Sequence, residues 1–408
     1  MGFSVDSEIG KLKQVIIHRP GKEMLRLTPQ NKDHLLFDDI LWLEKAQEEH
    51  DRFAQILRDR GAEVLYLQEL LAQTLQVAEA KSYILDYVFN ENTCGPRAAQ
   101  TVRALAESLP EPELAELLIA GITKAELLER TTGADSLVLS TMEDDDLLLT
   151  PLPNHLFTRD TSCWIYGGVS INSMMMEARQ RETIHYEAIY RWHPLFAGSD
   201  VPLWSEGLAA GPATVEGGDV QIIGNGAVLV GVSERTTAQG IERLASRLFK
   251  GGQVSQIIAV EMSKNRAQMH LDTVMTMVDK GTFTVYGDLG TLPTLTLRPG
   301  DAEGIEITRN APEEMYSVIA KALGIDKLRV LVTPQDSRAA AREQWNDGSN
   351  TLAIAPGVIL TYDRNVNTNQ FLTDHGIEVL AVPGAELGRG RGGPHCMSCP
   401  TLREPVDA

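Results

Sequence analysis

Cys396 lies in GGPHCMSCPT, His270 and Asp272 in MHLDTV, Glu216 and Asp219 in VEGGDV, and Asp160 in LFTRD. A thiol, an imidazole and carboxylates are the materials of covalent hydrolysis. The sign of the charge narrows the substrate. An acyl-transfer site stabilises an oxyanion and uses one carboxylate, so a site that gathers Asp160, Glu216 and Asp272 is too negative for that chemistry and suits a cation. A guanidinium is planar, permanently charged and takes carboxylates along its edges. Two acids could hold it flat while the Cys396 thiolate attacks its central carbon, the cation helping to keep the thiol ionised. His270 would protonate the departing ammonia and then activate water, with Glu216 orienting and charge-balancing it.

The pair Cys396 and Cys399 admits other readings. Zinc needs three or four ligands, usually with a second Cys or His pair, whereas Cys94 and Cys163 stand alone in the sequence. A haem site would place its His after the cysteines, and here His395 precedes Cys396. Nothing around the pair resembles a thioredoxin-like unit. The glycines and arginines of GRGRGG could suggest a nucleic-acid arm, but a chain of net charge −19 repels phosphates. Cys399 is expected to be a small buried residue.

These groups need a scaffold, and the chain repeats one. FTRDTSCWIYGGVSINSM reads as two strands about a YGG turn, followed by the helix ETIHYEAIYRWH and the strand DVPLWSEG. VEGGDVQIIGNGAVLVGVSERTT, AQGIERLASRLF and VSQIIAVEM form the next copy. MHLDTVMTMVDKGTFTVYG starts a fourth, which reaches its helix EEMYSVIAKALG and strand LRVLVTP after a longer connection. NTLAIAPGVILTYDRN starts a fifth. The first unit is read from QVIIHRPGKE, a helix with Trp42, Lys45/Ala46, Glu49 and Phe53 at three-to-four spacing, and AEVLYLQ. Five such units fit a closed ring better than a stack. In a ring the hairpin starts converge, gathering Asp160, Glu216, His270 and Asp272, with the Cys396 loop as fifth contributor. His270 and Asp272, two apart on an extended chain, would share a face.

Residues 71–148 lack this pattern. They carry 14 Asp/Glu against 5 Lys/Arg, a net of −9, with apolar faces such as Val102, Leu105, Ala106 and Leu109, or Leu114, Leu117, Leu118 and Ile122, at helical spacing. The expected organisation is an α/β unit of residues 1–70 and 149–408 with an all-helical acidic domain inserted between. Four cysteines in 408 residues, no signal-peptide pattern and no long apolar run lead us to expect a cytoplasmic protein without a membrane partner. A homo-oligomer, dimer or tetramer, is also expected.

NHLFTRD, EGGDV, MHLDTV and GGPHCMSCPT, in this order and with these gaps, resemble arginine deiminase, and the likeness runs from KLKQVIIHRPG to the end of the sequence. The resemblance implies the guanidino-modifying (pentein) fold: an α/β, five-bladed pseudosymmetric propeller of strand–strand–helix–strand units with a helical insertion. It implies hydrolysis of free L-arginine to L-citrulline and ammonia without metal or organic cofactor. Cys396 would be the nucleophile, His270 the acid/base beside Glu216, and Asp160 and Asp272 the guanidinium ligands. Arg179 and Arg235 would bind the substrate carboxylate, Asn154 and Phe157 would line the substrate end, and Arg391 would gate the thiol, with Arg389 the alternative. Other guanidino substrates, amidinotransfer and a non-catalytic sensor are the competing readings.

Overall fold

The alternating apolar runs become short strands with a recurring connection. The computed structural model describes residues 2–132, 135–301 and 304–406; the outermost limits of the ranges given above, 1 and 408, lie outside these. β1 (Leu12–Ile17) runs parallel to β2 (Glu63–Tyr66), joined through a helix over Leu43–Asp59. That helix buries Ala46, Glu49, Phe53 and Leu57. Trp42, expected on the same face, stands before the first turn and is 64% exposed.

β3 (Ile122–Thr123) and β4 (Leu147–Leu149) form a small antiparallel pair. The hairpin β5 (Ser162–Ile165) and β6 (Gly168–Ile171) leads through helix Glu177–Trp192 to β7 (Leu203–Glu206), which is parallel to β6. The next copy is β8 (Val220–Gly224), β9 (Ala227–Val232), helix Ala238–Lys250 and β10 (Gln256–Glu261). β11 (Met275–Asp279) and β12 (Thr282–Val285) open the fourth unit.

The longer connection that follows is not a loop. β13 (Thr294–Pro299) and β14 (Ile305–Asn310) fold back and widen the third sheet to β14-β13-β10-β9-β8. Helix Met315–Leu323 and β15 (Arg329–Val332) complete the fourth unit, and helix Ser337–Trp345 leads to the fifth. That unit is β16 (Leu352–Ala355), β17 (Val358–Tyr362), helix Val366–Asp374 and β18 (Glu378–Val382). Finally β19 (Cys399–Arg403) pairs antiparallel with β1, Cys399 opposite Ile16, and supplies the strand the first unit lacked in sequence. Each of the five main sheets thus joins an antiparallel pair to a third, parallel strand.

Buried hydrogen bonds run from sheet to sheet in order. The Cys399 thiol donates to the Ser162 carbonyl (3.3 Å), Arg159 Nη2 to that of Val220 (2.7 Å) and Gln221 Nε2 to that of Met275 (2.6 Å). Thr276 Oγ1 donates to the Ser349 carbonyl (2.7 Å), and Arg403 Nη1 returns from the first sheet to Ala353 of the fifth (2.8 Å).

The acidic segment is helical over Leu67–Thr74, Ala78–Val88, Glu91–Cys94, Pro96–Ser108, Glu111–Ala120, Lys124–Arg130 and Leu137–Thr141. It differs from the expected all-helical unit in two ways. Helix begins at Leu67 rather than after residue 70, and β3 and β4 interrupt it, so Ile122 is a strand residue. Leu70, Ile84, Val102 and Leu118 pack in one cluster with Trp164, Tyr186 and Ile189 of the second unit. Among the described residues no helix is long and apolar enough to cross a membrane.

Candidate active site

Each unit delivers its polar residue from the turn just ahead of a hairpin or closing strand. Asp160 comes from the turn Thr158–Thr161 before β5, Glu216 from just before the turn Gly217–Asp219 and β8, His270 and Asp272 from around Leu271–Thr273 before β11, and Cys396 from the loop before β19. All five side chains are buried. Asn154, Phe157, Asp160, Arg179, Arg235, His270, Arg391 and Cys396 line one small cavity.

His270 and Asp272 do not act as neighbours on an extended strand, because the intervening residues form a 3-10 turn. Their partners differ. His270 Nε2 meets Glu216 Oε2 at 2.7 Å, while its Nδ1 lies 3.7 Å from Asp160 Oδ1. Asp272 Oδ2 accepts from His395 Nδ1 at 2.8 Å and from the Cys396 thiol at 3.4 Å. The His270 ring fits because Gly218 has no side chain: a Cβ there would stand 2.6 Å from His270 Nδ1.

Electrostatics sets the resting charges. Burial alone would lower His270, but the carboxylates of Asp160, Glu216 and Asp219 outweigh it and raise the imidazole to about 9. Burial would raise Glu216, yet the His270 hydrogen bond and the Arg235 and Arg179 charges bring it down to about 2. The pair rests as imidazolium and carboxylate. Burial, then the charges of Asp272, Asp160 and Asp347, push the Cys396 thiol well up. Asp272 is held below the ordinary carboxylate range because His395 overcomes its burial.

The two acids expected to hold a guanidinium each retain one buried oxygen without a hydrogen bond, Asp160 Oδ1, whose ion-pair contact with His270 is a long 3.7 Å, and Asp272 Oδ1. Such an atom is costly to leave unpaired. On the cationic side, Arg179 donates to Asp160 Oδ2 (2.6 Å), to Glu182 and to the Asn154 carbonyl (3.2 Å). Arg235 Nη1 lies 3.5 Å from Glu216, and its Nη2 is buried and unpartnered. The Asn154 amide itself donates to the Leu35 carbonyl (2.7 Å), while Phe157 stacks near Phe37.

Of the two loop arginines, Arg389 points away, pairing with Asp39 and Glu386. Arg391 faces the cavity in left-handed backbone (φ 62°), with its guanidinium 3.7 Å from the centre of the Trp345 ring. Cys399 begins β19 with its thiol bonded to backbone, outside the cavity.

Ligand-type atoms of Asp160, Glu216 and His270 lie within 4.8 Å of one another, as a divalent cation would require. Their arrangement suits a proton better. The imidazole lies between the two acids, with one ring nitrogen toward each, and its charged form answers both.

Several partners were missed in the sequence. Asn350 is buried against Cys396, and its side chain bonds both the Cys396 sulfur and backbone nitrogen. A signal for it existed: SNT opens the fifth hairpin as TRD opens the second and EGGD the third. His395 joins Asp272 to Glu8, which pairs with Arg159 at 2.6 Å. Glu8 is 387 residues from His395, and no local pattern marks it. Asp219, which the sequence did single out beside Glu216, accepts from Ser233 and from the Leu271 backbone, tying the third unit to the fourth.

The fold is of the mixed α/β, pentein-like class. The chain resembles the amidinotransferase SxtG of saxitoxin biosynthesis from Microseira wollei (TM-score 0.56, 14% identity, 99% of this chain and 98% of that one). It also resembles dimethylarginine dimethylaminohydrolase from Pseudomonas aeruginosa in complex with citrulline (0.52, 16%, 97% and 100%). A third likeness is to the N-terminal domain of ArgZ, a cyanobacterial arginine dihydrolase, with product bound (0.54, 12%, 96% and 97%). The arginine deiminase family model matches residues 33–403, and the chain belongs to that family.

Proposed function

We propose that this protein hydrolyses free L-arginine to L-citrulline and ammonia through a thiouronium intermediate on Cys396. The observation that carries the reading is the pair of oxygens without a hydrogen bond on Asp160 and Asp272, in the same buried site as the Cys396 sulfur. A guanidinium spanning them would satisfy both and present its central carbon to sulfur. The substrate cation enters as the thiol proton leaves to solvent, so the burial of charge is balanced. Sulfur bonds to carbon, and the His270 imidazolium gives its proton to the departing nitrogen, which leaves as ammonia. Neutral His270 then takes a proton from water, whose oxygen attacks the same carbon. The C–S bond breaks and citrulline is released.

In this reading Arg179 and Arg235 receive the substrate carboxylate, Asn154 and Phe157 shape its end of the cavity, and Arg391 covers the thiol. The five sheets act as blades of a pseudosymmetric propeller around the site. The circuit of hydrogen bonds from first sheet to fifth and back supports that arrangement. Residues 71–148 form the inserted acidic unit, and four buried free thiols suit a reducing cytoplasm.

A side-by-side citrulline and ammonia assay with arginine and agmatine tests the substrate. Agmatine lacks the carboxylate, leaving buried arginine donors unanswered, so its kcat/KM is expected to fall by on the order of 100-fold. Equal turnover of both would overturn the assignment to free arginine, and amidine transfer to an added amine without ammonia release would overturn hydrolysis. Truncating Arg179 is a poorer test. Arg179→Ala strands Asp160 and Glu182 in the core and is expected to lower stability by about 3–5 kcal/mol, read by denaturant melting.

A further inference from the structure

Asn350 lies in the loop between helix Ser337–Trp345 and β16, wholly buried. Its Oδ1 accepts the Cys396 backbone N–H at 3.1 Å. Its Nδ2 donates to the Asp272 carbonyl at 3.1 Å and to Cys396 Sγ at 3.1 Å. The orientation of the carboxamide is fixed by the two backbone contacts. A backbone N–H only donates and a backbone carbonyl only accepts, so a flipped amide would lose both bonds. The remaining contact is therefore an N–H directed at sulfur.

Among the described residues no other hydrogen bond is donated to the Cys396 sulfur. Asp272 reaches the sulfur at 3.4 Å, and the charges of Asp160 and Asp347 also bear on it, all three disfavouring an anion there. A thiolate accepts an N–H bond better than a thiol does. The mechanism above needs a thiolate twice, as the attacking group and as the leaving group.

We propose that Asn350 is a catalytic residue whose amide N–H stabilises the Cys396 thiolate in both half-reactions. When the C–S bond forms, sulfur spends the electron pair that the amide had held in place. When that bond breaks, the pair returns to sulfur under the same donor. The same carboxamide fixes the nucleophile relative to Asp272, since it bonds the backbones of both residues. This rests on Cys396 being the nucleophile.

The test compares wild type with Asn350→Ala and the isosteric Asn350→Asp. Two readouts are used: the pH dependence of Cys396 alkylation by iodoacetamide, located by peptide mass spectrometry, and kcat and KM for arginine. Loss of the donor is expected to lower kcat by on the order of 100-fold with KM changed by less than about threefold. The alkylation midpoint should move up by about one pH unit, and further in Asn350→Asp. If Asn350→Ala does not fold, Asn350→Asp carries both measurements. An unchanged alkylation profile, or a loss confined to KM, in a variant that melts like wild type overturns the proposal. If wild type releases no citrulline, the arginine reading fails, while the alkylation profile still decides whether Asn350 acts on the sulfur.

Discussion

Cys396→Ser is expected to abolish citrulline formation, by about 10⁴-fold or more, while preserving the fold. A serine hydroxyl can still donate to Asp272 and accept from Asn350, the two side-chain contacts of the thiol. What it cannot do is ionise. Burial and the surrounding acids already push the thiol up, and an alcohol starts far higher. The carboxylate against this atom, Asp272, is held below the ordinary range by His395 and is too weak a base for an alcohol, and His270 is engaged with Glu216 and Asp160. Binding should survive, so calorimetry with arginine separates loss of chemistry from loss of the site. A non-catalytic arginine sensor would show equal binding in both proteins and no citrulline from wild type. Near-normal turnover by the serine variant would remove Cys396 from the nucleophile's role.

Replacing His270 by alanine should leave the reaction part-finished. Its loss removes the acid for ammonia departure and the base for water, which together are expected to slow turnover by about 10³–10⁴-fold. If its larger role is in the water step, intact and peptide mass spectrometry with arginine will find the amidine adduct held on Cys396. An adduct on Cys399 would show that the wrong sulfur was chosen; no adduct at all would place the role of His270 in the first half-reaction. The wild-type pH profile provides an independent check. With the imidazolium, raised to about 9, as the proposed acid, kcat/KM should decline as pH passes that value. Stability follows the same sign. The folded state holds the proton more tightly than an unfolded histidine near 6.5. The contribution of His270 is therefore full below that pH and lost as pH rises through about 9. Melting wild type against the alanine variant from pH 6 to 10 should show their difference shrinking upward.

The repeat was legible because the second to fifth units each carry a turn-bounded pair of apolar runs and a helix, which are local signals. The structure brings Asp160, His270 and Cys396 to one cavity with Arg179, Arg235 and Arg391, with Glu216 against His270 and Asp272 against Cys396. What escaped was non-local or masked by expectation. β19 joins β1 from the far end of the sequence, and nothing near Leu12 announces it. β13 and β14 had alternating patterns in TLTLRP and IEITRN, yet they extend the sheet of the unit before them, which a strictly repeating scheme has no place for. The extended-chain argument for His270 and Asp272 reached the right residues for a reason the 3-10 turn replaces. Asn350 has no titratable group to mark it in the sequence, since a carboxamide contributes geometry and a donor rather than a charge.

The pairing of β1 with β19 bears on how the enzyme comes into being. Gln14 and Thr401 are hydrogen-bonded across 387 positions. β1 therefore waits for a strand hundreds of residues later, and closure over so long a loop makes for slow, high-contact-order folding. The nucleophile loop lies between β18 and β19, so it takes its shape only when that final strand docks. During refolding, activity should return with the slowest phase, after most of the secondary structure has formed. A chain cut short before β19 would keep Asp160, Glu216, His270 and Asp272 but no placed Cys396 sulfur, and should form no citrulline.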